Sequence, residues 1–442
     1  MANITITKTV PVVGEYDVIV AGGGCAGWVA AVSAARAGLR VALIERYSFL
    51  GGTATAGYVV PISGFFFRGK QVVGGIAWEF VERMQALGAA LPEMPKGHVS
   101  FNPEYYKLVA EQMAVEAGVE LYTNAWLSGV ETAVHADLCA VTHVIIESKN
   151  GTEALAARCF IDATGDGDLC HMAGVPMLAA DTAAPARQPL SLCFVLNGVD
   201  STTPLLRDSI HHDGRSGKPS CNAEIRAMLL ELVDKGEAPQ FGGPWFNTLL
   251  TGDSLAVNIT RADADAADRA DMTRAEQQLR RNMFILVDRL RARYPEFAKC
   301  EITASAVGAG IRETRHIRGV ETATLDDFLS GRTFPCPVAH AAHPMDIHDP
   351  KSSAQQVIQL ERDAYIPHTA LVTREYDNLI AAGRCISAEA EPYASLRVQA
   401  TLMSIGEGAG LMAALHCATG APVNALDEAA LRAMIDARGF VR

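Results

Sequence analysis

Apolar and polar positions change period along the chain, and the clearest change comes first. No charged residue stands between Val18 and Ala35, a run of about the length at which a membrane-spanning helix has to be considered. Gly22, Gly23, Gly24 and Gly27 interrupt it, and Asp17 and Arg36 bound it. The pattern therefore predicts a buried strand over 16–21, a tight turn over 22–27, and an Ala-rich helix from Trp28 to Ala37 that Gly38 stops. A second strand over 40–44 ends in Glu45.

Helices follow over 76–87 and 103–117, the latter with Pro103 in its first turn, where a missing N–H costs nothing. Residues 119–122 read as a strand, and 130–134, 140–147 and 154–161 as a three-stranded meander with Asn150-Gly151 at a hairpin turn. From about Gly174 to Ala370 the pattern changes, with a strand over 190–196, a helix over 223–235 and a charged amphipathic stretch over 270–293. A strand-then-glycine pattern returns at 378–384, and a long apolar helix spans 398–417. The expected fold class is α/β. A Rossmann-like nucleotide-binding domain with a βββ meander is formed by 1–173 and 371–442, and an α+β substrate domain, 174–370, is inserted into it.

Composition narrows the choice of partners. At 442 residues, 49% hydrophobic and 20% charged, the chain can build two or three packed units and is not a disordered polymer. A formal charge of −12 leaves no basic face to neutralise many phosphates, which argues against nucleic acid and anionic membrane. Lys8 is the one charge before Glu15 and no long apolar segment accompanies it, so no secretory signal is expected and a cytoplasmic location is. Ten cysteines, Cys221 among them, are scattered without a CxxC pair. They predict buried thiols in a reducing compartment, with neither a disulfide scaffold nor a metal site.

The segment 16–46 carries the most chemistry. Gly22, Gly24 and Gly27, with Cys25 and Ala26 between them, give GxGxxG at a strand-to-helix turn. The first glycine allows the turn, the second lets backbone approach a pyrophosphate, and the third lets helix pack on strand. The helix then aims its N-terminal amides at the anion. Glu45 at the end of the second strand suits two ribose hydroxyls, hence an unphosphorylated 2′-OH. No further parallel βα unit follows. A Gly-rich segment runs instead from Phe49 to Gly57 and on to Ile76, suited to wrapping a large cofactor, which points to FAD rather than NAD. Gly406, Gly408 and Gly410 are no second nucleotide motif; they fall in an apolar helical stretch and predict close packing against flavin or sheet.

With these motifs in place the chain resembles the FAD-dependent oxidoreductases of the succinate dehydrogenase and fumarate reductase type, on the glutathione-reductase-type FAD fold. It is more similar still to the bacterial subfamily known simply as FAD-dependent oxidoreductases. The shared segments are the glycine unit with Glu45, LGGTAT at 50–55, Ala163 to Asp166, Gly310 to Arg315, Met345 to Pro350, Ala382 to Ser387 and Ala394 to Thr401. They are specific for the family and nearly silent about substrate. The resemblance implies that Gly22, Gly24, Gly27 and Glu45 hold the ADP half, with Arg46 beside the adenosine. Gly51, Gly52 and Thr53 would run past the pyrophosphate, and Ala125 and Trp126 would set backbone against adenine. Ala163, Thr164 and Gly165 would pass the ribose side, and Gly383 and Arg384 the ribityl and phosphate portion. The helix after Arg397, opening at Val398, would point its N-terminus at the flavin pyrimidine edge, where about half a positive charge favours the reduced form. Cys25 stands where many flavoproteins carry Pro, a change expected to alter packing only. No His follows Gly51-Gly52, so the FAD is expected to be noncovalent.

Candidates for catalysis lie beyond the cofactor motifs. Arg312 and Arg315, with Glu313 and His316, read either as an ion-pair network pinning the domains or as a carboxylate clamp. His340, His343, Asp346, His348 and Asp349 crowd one segment whose spacing fits no strong zinc pattern. His348 is the expected general acid or base, beside a purely structural reading, because an imidazole titrates near pH ~6.5. Arg397 is placed to touch substrate or flavin. The expected activity is hydride transfer between a small organic substrate and FAD, recycled by oxygen or another carrier. An FAD-dependent monooxygenase, and a flavin-binding structural or regulatory protein, are the alternatives. The oligomeric state is open, a homo-oligomer included.

Overall fold

A computed structural model describes residues 4–5, 7–93, 97–135, 137–178, 187–207 and 222–441; Cys221 lies outside them. An apolar run without alternation suits a strand covered on both faces. Such a run closes β1 (Val12–Ala21), whose Val18, Ile19, Val20 and Ala21 are wholly buried. Then come α1 (Cys25–Arg36), β2 (Val41–Glu45), α2 (Gly75–Ala86), α3 (Pro103–Glu116) and β3 (Glu120–Thr123). The meander consists of β4 (Trp126–His135), β5 (Leu138–Ser148) and β6 (Gly151–Asp162).

These strands form one sheet in the order β3-β2-β1-β6-β5-β4. The neighbours from β3 to β6 are parallel, and β6, β5 and β4 are antiparallel. β6 forks: residues 151–156 pair with β5, and residues 160–162 pair in parallel with the later strand Leu379–Ala381. That fork brings the turn at 383–384 beside the turn at 163–165, two segments far apart in sequence.

After the short helix α4 (Asp168–Met172) a second, antiparallel sheet appears. Its strands are β7 (Phe194–Asn197), β8 (Phe241–Thr248), β9 (Leu255–Thr260) and β10 (Glu301–Ser305), ordered β8-β9-β7-β10. With α5 (Ala223–Asp234) and α6 (Arg269–Arg293) it encloses its own apolar cluster, including Phe194, Phe246, Leu286, Leu290 and Phe297. The strand expected over 190–196 begins later, because Leu190 and Ser191 leave the ladder to bridge Ala262 and Gly310 singly.

The chain returns through β11 (Pro337–Ala341), β12 (Met345–His348), β13 (Gln355–Ile358), β14 (Ala364–Pro367) and β15 (Leu379–Ala381). It ends in α7 (Ala390–Leu396), the long α8 (Gln399–Thr419) and one further short helix. α8 is buried on almost every side and lies against α1. A Cβ at Gly406 would stand 2.1 Å from Ala26 O, one at Gly410 2.6 Å from Ala30 O, and one at Gly408 2.7 Å from Val338. The neighbours of these three glycines are therefore α1 and β11. Between them Glu407, 1% exposed, accepts a hydrogen bond from Ile76 N at 2.8 Å and satisfies an orphan amide of the first turn of α2. Burial pushes that carboxyl up to about 7. Among the described residues no helix is long and apolar enough to cross a membrane.

Candidate functional site

β1, β2 and β6 end at one edge of the large sheet, and the turns that follow them surround a cleft. The three glycines of the first turn differ in what confines them. Gly22 has φ 99° and its Cβ would stand 2.4 Å from Ala163 O, while one at Gly27 would stand 1.8 Å from Gly22 O. A Cβ at Gly24 would meet nothing nearer than Gly52 Cα at 3.9 Å. Protein packing demands the first and third glycines, whereas the second leaves a gap that opens on the cleft. Gly24 is also the N-cap of α1 and supplies no capping side chain, so the first amides of that helix are left for another acceptor.

The second glycine pair is fastened to the first, since Gly51 N–H donates to Gly23 O at 2.9 Å and Gly51 and Gly52 have φ of 111° and 54°. Gly22, Gly24, Cys25, Ala26, Gly52 and Thr53 line the cleft. Gly27 and Gly51 stand behind them. The Cys25 Sγ is directed at Gly51 O, 3.4 Å away, and burial pushes the thiol up. It packs, and has no thiolate character.

Glu45 is 6% exposed, with Oε2 accepting from Gly23 N at 2.7 Å and Oε1 from Tyr47 N at 2.9 Å. Burial raises its pKa. A carboxylate has about four acceptor positions, so both oxygens retain capacity for hydroxyls. At the mouth the Arg46 guanidinium lies 5.5 Å over the Trp126 ring, which is 56% exposed. Ala125, Trp126 and Arg46 all line this end.

Asp162, fully buried at the end of β6, organises the next turn. Its Oδ1 accepts from Thr164 N at 3.1 Å and Thr164 Oγ1 at 2.7 Å, and its Oδ2 from Cys170 N at 2.8 Å. Ala163, Thr164, Gly165 and Asp166 thereby face the cleft, with Gly383 and Arg384 opposite. Arg384 Nη2 donates to Asp166 Oδ1 at 3.1 Å, an oxygen that also accepts from Thr314 Oγ1 at 2.8 Å. Burial pulls the Arg384 guanidinium down, but the Asp166 carboxylate prevails and its pKa is raised. Among the described residues Arg384 Nη1 is buried and has no hydrogen-bond partner. An unpaired buried donor beside the cleft and the open gap at Gly24 are features that an approaching diphosphate satisfies. The residues present fit FAD.

The cleft is also lined by Ala56, Gly57, Gly308, Ala309, Gly310, Ile311 and Leu402. Val398 caps α8 and is not on the wall; Leu402, one turn on, is. Residues 308–311 were missed as a wall, although the small-residue run Ala304 to Gly310 is the kind of segment that allows close approach.

The four catalytic candidates lie off the cleft wall. Arg315 Nη1 donates to Asp168 Oδ1 at 2.9 Å and to Asp166 O at 3.1 Å, tying the turn at 166–168. Arg312, Arg397 and His348 come together in a polar network. His348 is 3% exposed; Arg261 Nη2 meets its Nδ1 at 3.1 Å and Asp346 Oδ2 meets its Nε2 at 3.0 Å. Arginine can only donate, so Nδ1 accepts and Nε2 carries the proton. Burial first, then the Arg312 charge, pushes the imidazole down to about 3. The general acid or base expected at His348 is thus met by a neutral ring with both nitrogens engaged. Burial raises the Asp346 carboxyl, but His348 and Arg397 prevail and hold it below the usual carboxylate range. Arg397 Nη2 donates to Gln188 Oε1 at 3.2 Å and to Asp346 O at 3.0 Å. Gln188 and Arg261 carried no sequence signal, since each stands alone and only the topology delivers it. His340 faces Asp363 at 3.3 Å, away from this network; His343 Nδ1 lies 2.8 Å from Pro344 O, and its ring, pushed down by burial, feels the charges of Asp346 and Arg397.

Comparison with known proteins bears on this geometry. A family model described as FAD dependent oxidoreductase matches residues 17–435. Dihydrolipoyl dehydrogenase of Trypanosoma brucei brucei is 51% identical over 43 residues, which span 10% of this chain and 9% of that protein. A geranylgeranyl bacteriochlorophyll reductase-like structure from Thermoplasma acidophilum is 15% identical, covering 97% of this chain and 84% of the other, with a TM-score of 0.49. The myxobacterial chondrochloren halogenase is 14% identical, covering 96% and 79%, with a TM-score of 0.47. Likenesses of this size say nothing of reaction or substrate. The family model spans nearly the whole chain, from the first parallel strand to the last helix, and on that ground the chain belongs to the FAD-dependent oxidoreductase family and is an enzyme that uses FAD.

Proposed function

We propose that the protein transfers a hydride between a carbon of a small organic substrate and noncovalently held FAD, in the manner of the succinate dehydrogenase and fumarate reductase type. Residues 1–173 and 371–442 would form the FAD domain and 174–370 the substrate domain. The separate apolar cluster around Phe194, Phe246 and Leu286 supports a second unit over 194–300, whereas Val338, Ala339 and Ile366 pack into the core of the FAD domain. Bound FAD supplies a two-electron centre at its N5. Glu45, Arg46 and Trp126 would hold the adenosine end, Gly22, Gly24 and Arg384 the diphosphate, and Gly52 and Thr53 the approach to the ring.

The observation that carries the reading is the lining of one cleft, which gathers Glu45 and Trp126, Gly24 and Arg384, and Gly308–Ile311 with Leu402. From Ile311 the chain passes directly into Arg312 of the buried network. A substrate beside Ile311 would lie next to that network. His348 acts as a positioning residue, since its Nε2–H fixes Asp346, whose backbone carbonyl in turn accepts from Arg397.

The test is anaerobic addition of organic substrates to the FAD-loaded protein. Loss of the oxidised flavin's visible band without any nicotinamide supports the reading. Bleaching by NAD(P)H alone, followed by oxygen uptake and a hydroxylated product, would replace it with a monooxygenase.

A further inference from the structure

We propose that the outer face of α6 pairs with the same face of a second copy of this chain, the two helices antiparallel about a dyad that passes between Phe284 and Ile285. The surface lies apart from the cleft, and the pairing does not depend on the reading above.

α6 buries Ala275, Leu279, Met283, Leu286, Val287 and Leu290 on one side, where it lies against β9. The opposite side of such a helix is ordinarily polar, and towards both ends it is. Arg274, Gln277, Arg280 and Arg281 are exposed before the middle, and Asp288 after it. At the middle stand two adjacent large apolar side chains, Phe284 at 52% and Ile285 at 40% exposure. A single exposed apolar residue needs no explanation; two side by side on the outer face of one helix form a small apolar step.

Charge indicates what covers that step. Arg281 and Asp288 are seven residues apart, two helical turns, and so share one line along the exposed face. Phe284 and Ile285 flank that line on either side, midway along it. In an antiparallel pair with its dyad between 284 and 285, each position meets the one equally far beyond the dyad. Arg281 then faces Asp288 of the second copy, about 5 Å along the helix from the dyad, and Asp288 faces Arg281 of the second copy. Phe284 and Ile285 meet their counterparts at the centre, and Gln277 faces Ala292, both exposed. The pairing thus encloses four apolar side chains between two ion pairs, a self-complementary arrangement with an apolar centre and a charged rim.

Both charges are available for it. Among the described residues Arg281 makes no ion pair. Asp288 is 65% exposed and meets Arg291 through Oδ1 at 3.0 Å, leaving Oδ2 open. Arg280 and Arg289, which the same dyad sets at one level, are engaged off the line, Arg280 with Glu276 at 3.6 Å and Arg289 on Glu237 O at 2.9 Å. The other exposed apolar stripe, Tyr105, Leu108 and Val115 on α3, is flanked by Glu104, Glu111 and Glu116, and a symmetric pairing there sets acid against acid. One helix pair lies at the low end of specific interfaces, below about 1,200 Å², so a dissociation constant in the micromolar range is expected. Neither Arg281, Phe284, Ile285 nor Asp288 lines the cleft, and FAD is held equally by one chain or two.

Sedimentation equilibrium of the FAD-loaded protein, from micromolar to near-millimolar concentration, tests this. The mass is expected to climb from one chain towards two. Phe284→Glu is expected to raise the dissociation constant about tenfold or more. Arg281→Asp and Asp288→Arg each set like charges face to face and are expected to weaken the pairing about fivefold. The chain carrying both exchanges restores the two ion pairs with their ends reversed and is expected to recover most of the loss. FAD stoichiometry, and the urea midpoint at concentrations where the chain is single, should match wild type in every variant, which separates lost pairing from lost folding. Should Phe284→Glu fail to fold, the charge exchanges decide. A single-chain mass throughout overturns the proposal, as does a dimer that Phe284→Glu leaves unchanged or a double exchange that recovers nothing. If the pure chain stays single while Phe284→Glu removes a protein that co-purifies with it, the face belongs to that partner and the self-pairing falls as well.

Discussion

Gly24 and Gly27 look interchangeable in the motif, yet opposite consequences follow from adding a methyl group at each. At Gly27 the new Cβ would lie 1.8 Å from Gly22 O and 2.9 Å from Ala163 Cβ. Gly22 O is backbone held between β1 and α1 and cannot yield without opening the turn. Gly27→Ala is therefore expected to cost at least the upper part of the roughly 1–3 kcal/mol of ordinary overpacking. At Gly24 the backbone, φ −68° and ψ −175°, suits alanine, and the nearest atom to the new Cβ is 3.9 Å away. Gly24→Ala should leave the apoprotein within about 1 kcal/mol of wild type, a small gain coming from the stiffer unfolded chain. In the proposed binding mode its methyl group would occupy the gap that takes the diphosphate. Overpacking there of about 1–3 kcal/mol weakens FAD by about 5- to 150-fold. Urea unfolding of both apoproteins and FAD titration followed by flavin fluorescence measure the two effects separately. Gly24→Ala that binds FAD within twofold of wild type, or that loses as much stability as Gly27→Ala, refutes the reasoning.

Further expectations concern the diphosphate, the helix pair and pH. Arg384→Gln should raise the FAD dissociation constant tenfold or more and flatten its dependence on salt, because it removes the charge whose Nη1 has no hydrogen-bond partner among the described residues; an unchanged salt slope would remove Arg384 from the diphosphate. Gly410→Val, with a Cβ 2.6 Å from Ala30 O, should lower the unfolding midpoint by at least the equivalent of about 1–3 kcal/mol, and a neutral result would mean that α1 and α8 are not so closely packed. The Glu407 carboxyl titrates near about 7 in the fold against an ordinary 4.5, so the folded state holds its proton more tightly. Its contribution is complete below the lower value and is lost as pH rises through the higher one, a swing of about 3 kcal/mol. Glu407→Gln should remove that fall in urea midpoint between acid and neutral pH; parallel profiles for the two proteins would contradict it.

Much of the FAD side was legible in the sequence because local rules govern it. The uncharged run from Val18 to Ala35 could only be strand, turn and helix once its glycines were counted, and β1 and α1 follow it closely. Arg384 is an expected cofactor contact only through the family resemblance, and its pairing with Asp166 depends on the fork in β6, which no local pattern records. The second sheet was harder. Its strand β7 is short, because Leu190 and Ser191 pair elsewhere, and alternation cannot reveal which partner a residue takes. The network shows the same limit. His348 stood out for its chemistry, whereas the partners that fix its tautomer, Arg261 on one nitrogen and Asp346 on the other, include a residue that only β9 carries into place. Gly406 and Gly410, four apart in an apolar helix, did signal close approach; which neighbour they approach was a matter of topology.

The central claim is that one cleft in this chain holds FAD noncovalently. The visible absorption spectrum of the purified protein, repeated after addition of FAD and after denaturation and removal of the polypeptide, tests it most directly. A yellow protein carrying one FAD per chain, with all of the flavin released into the soluble fraction on denaturation, is the predicted result. A colourless protein that takes up no added FAD, or flavin that stays with the denatured chain, would contradict it.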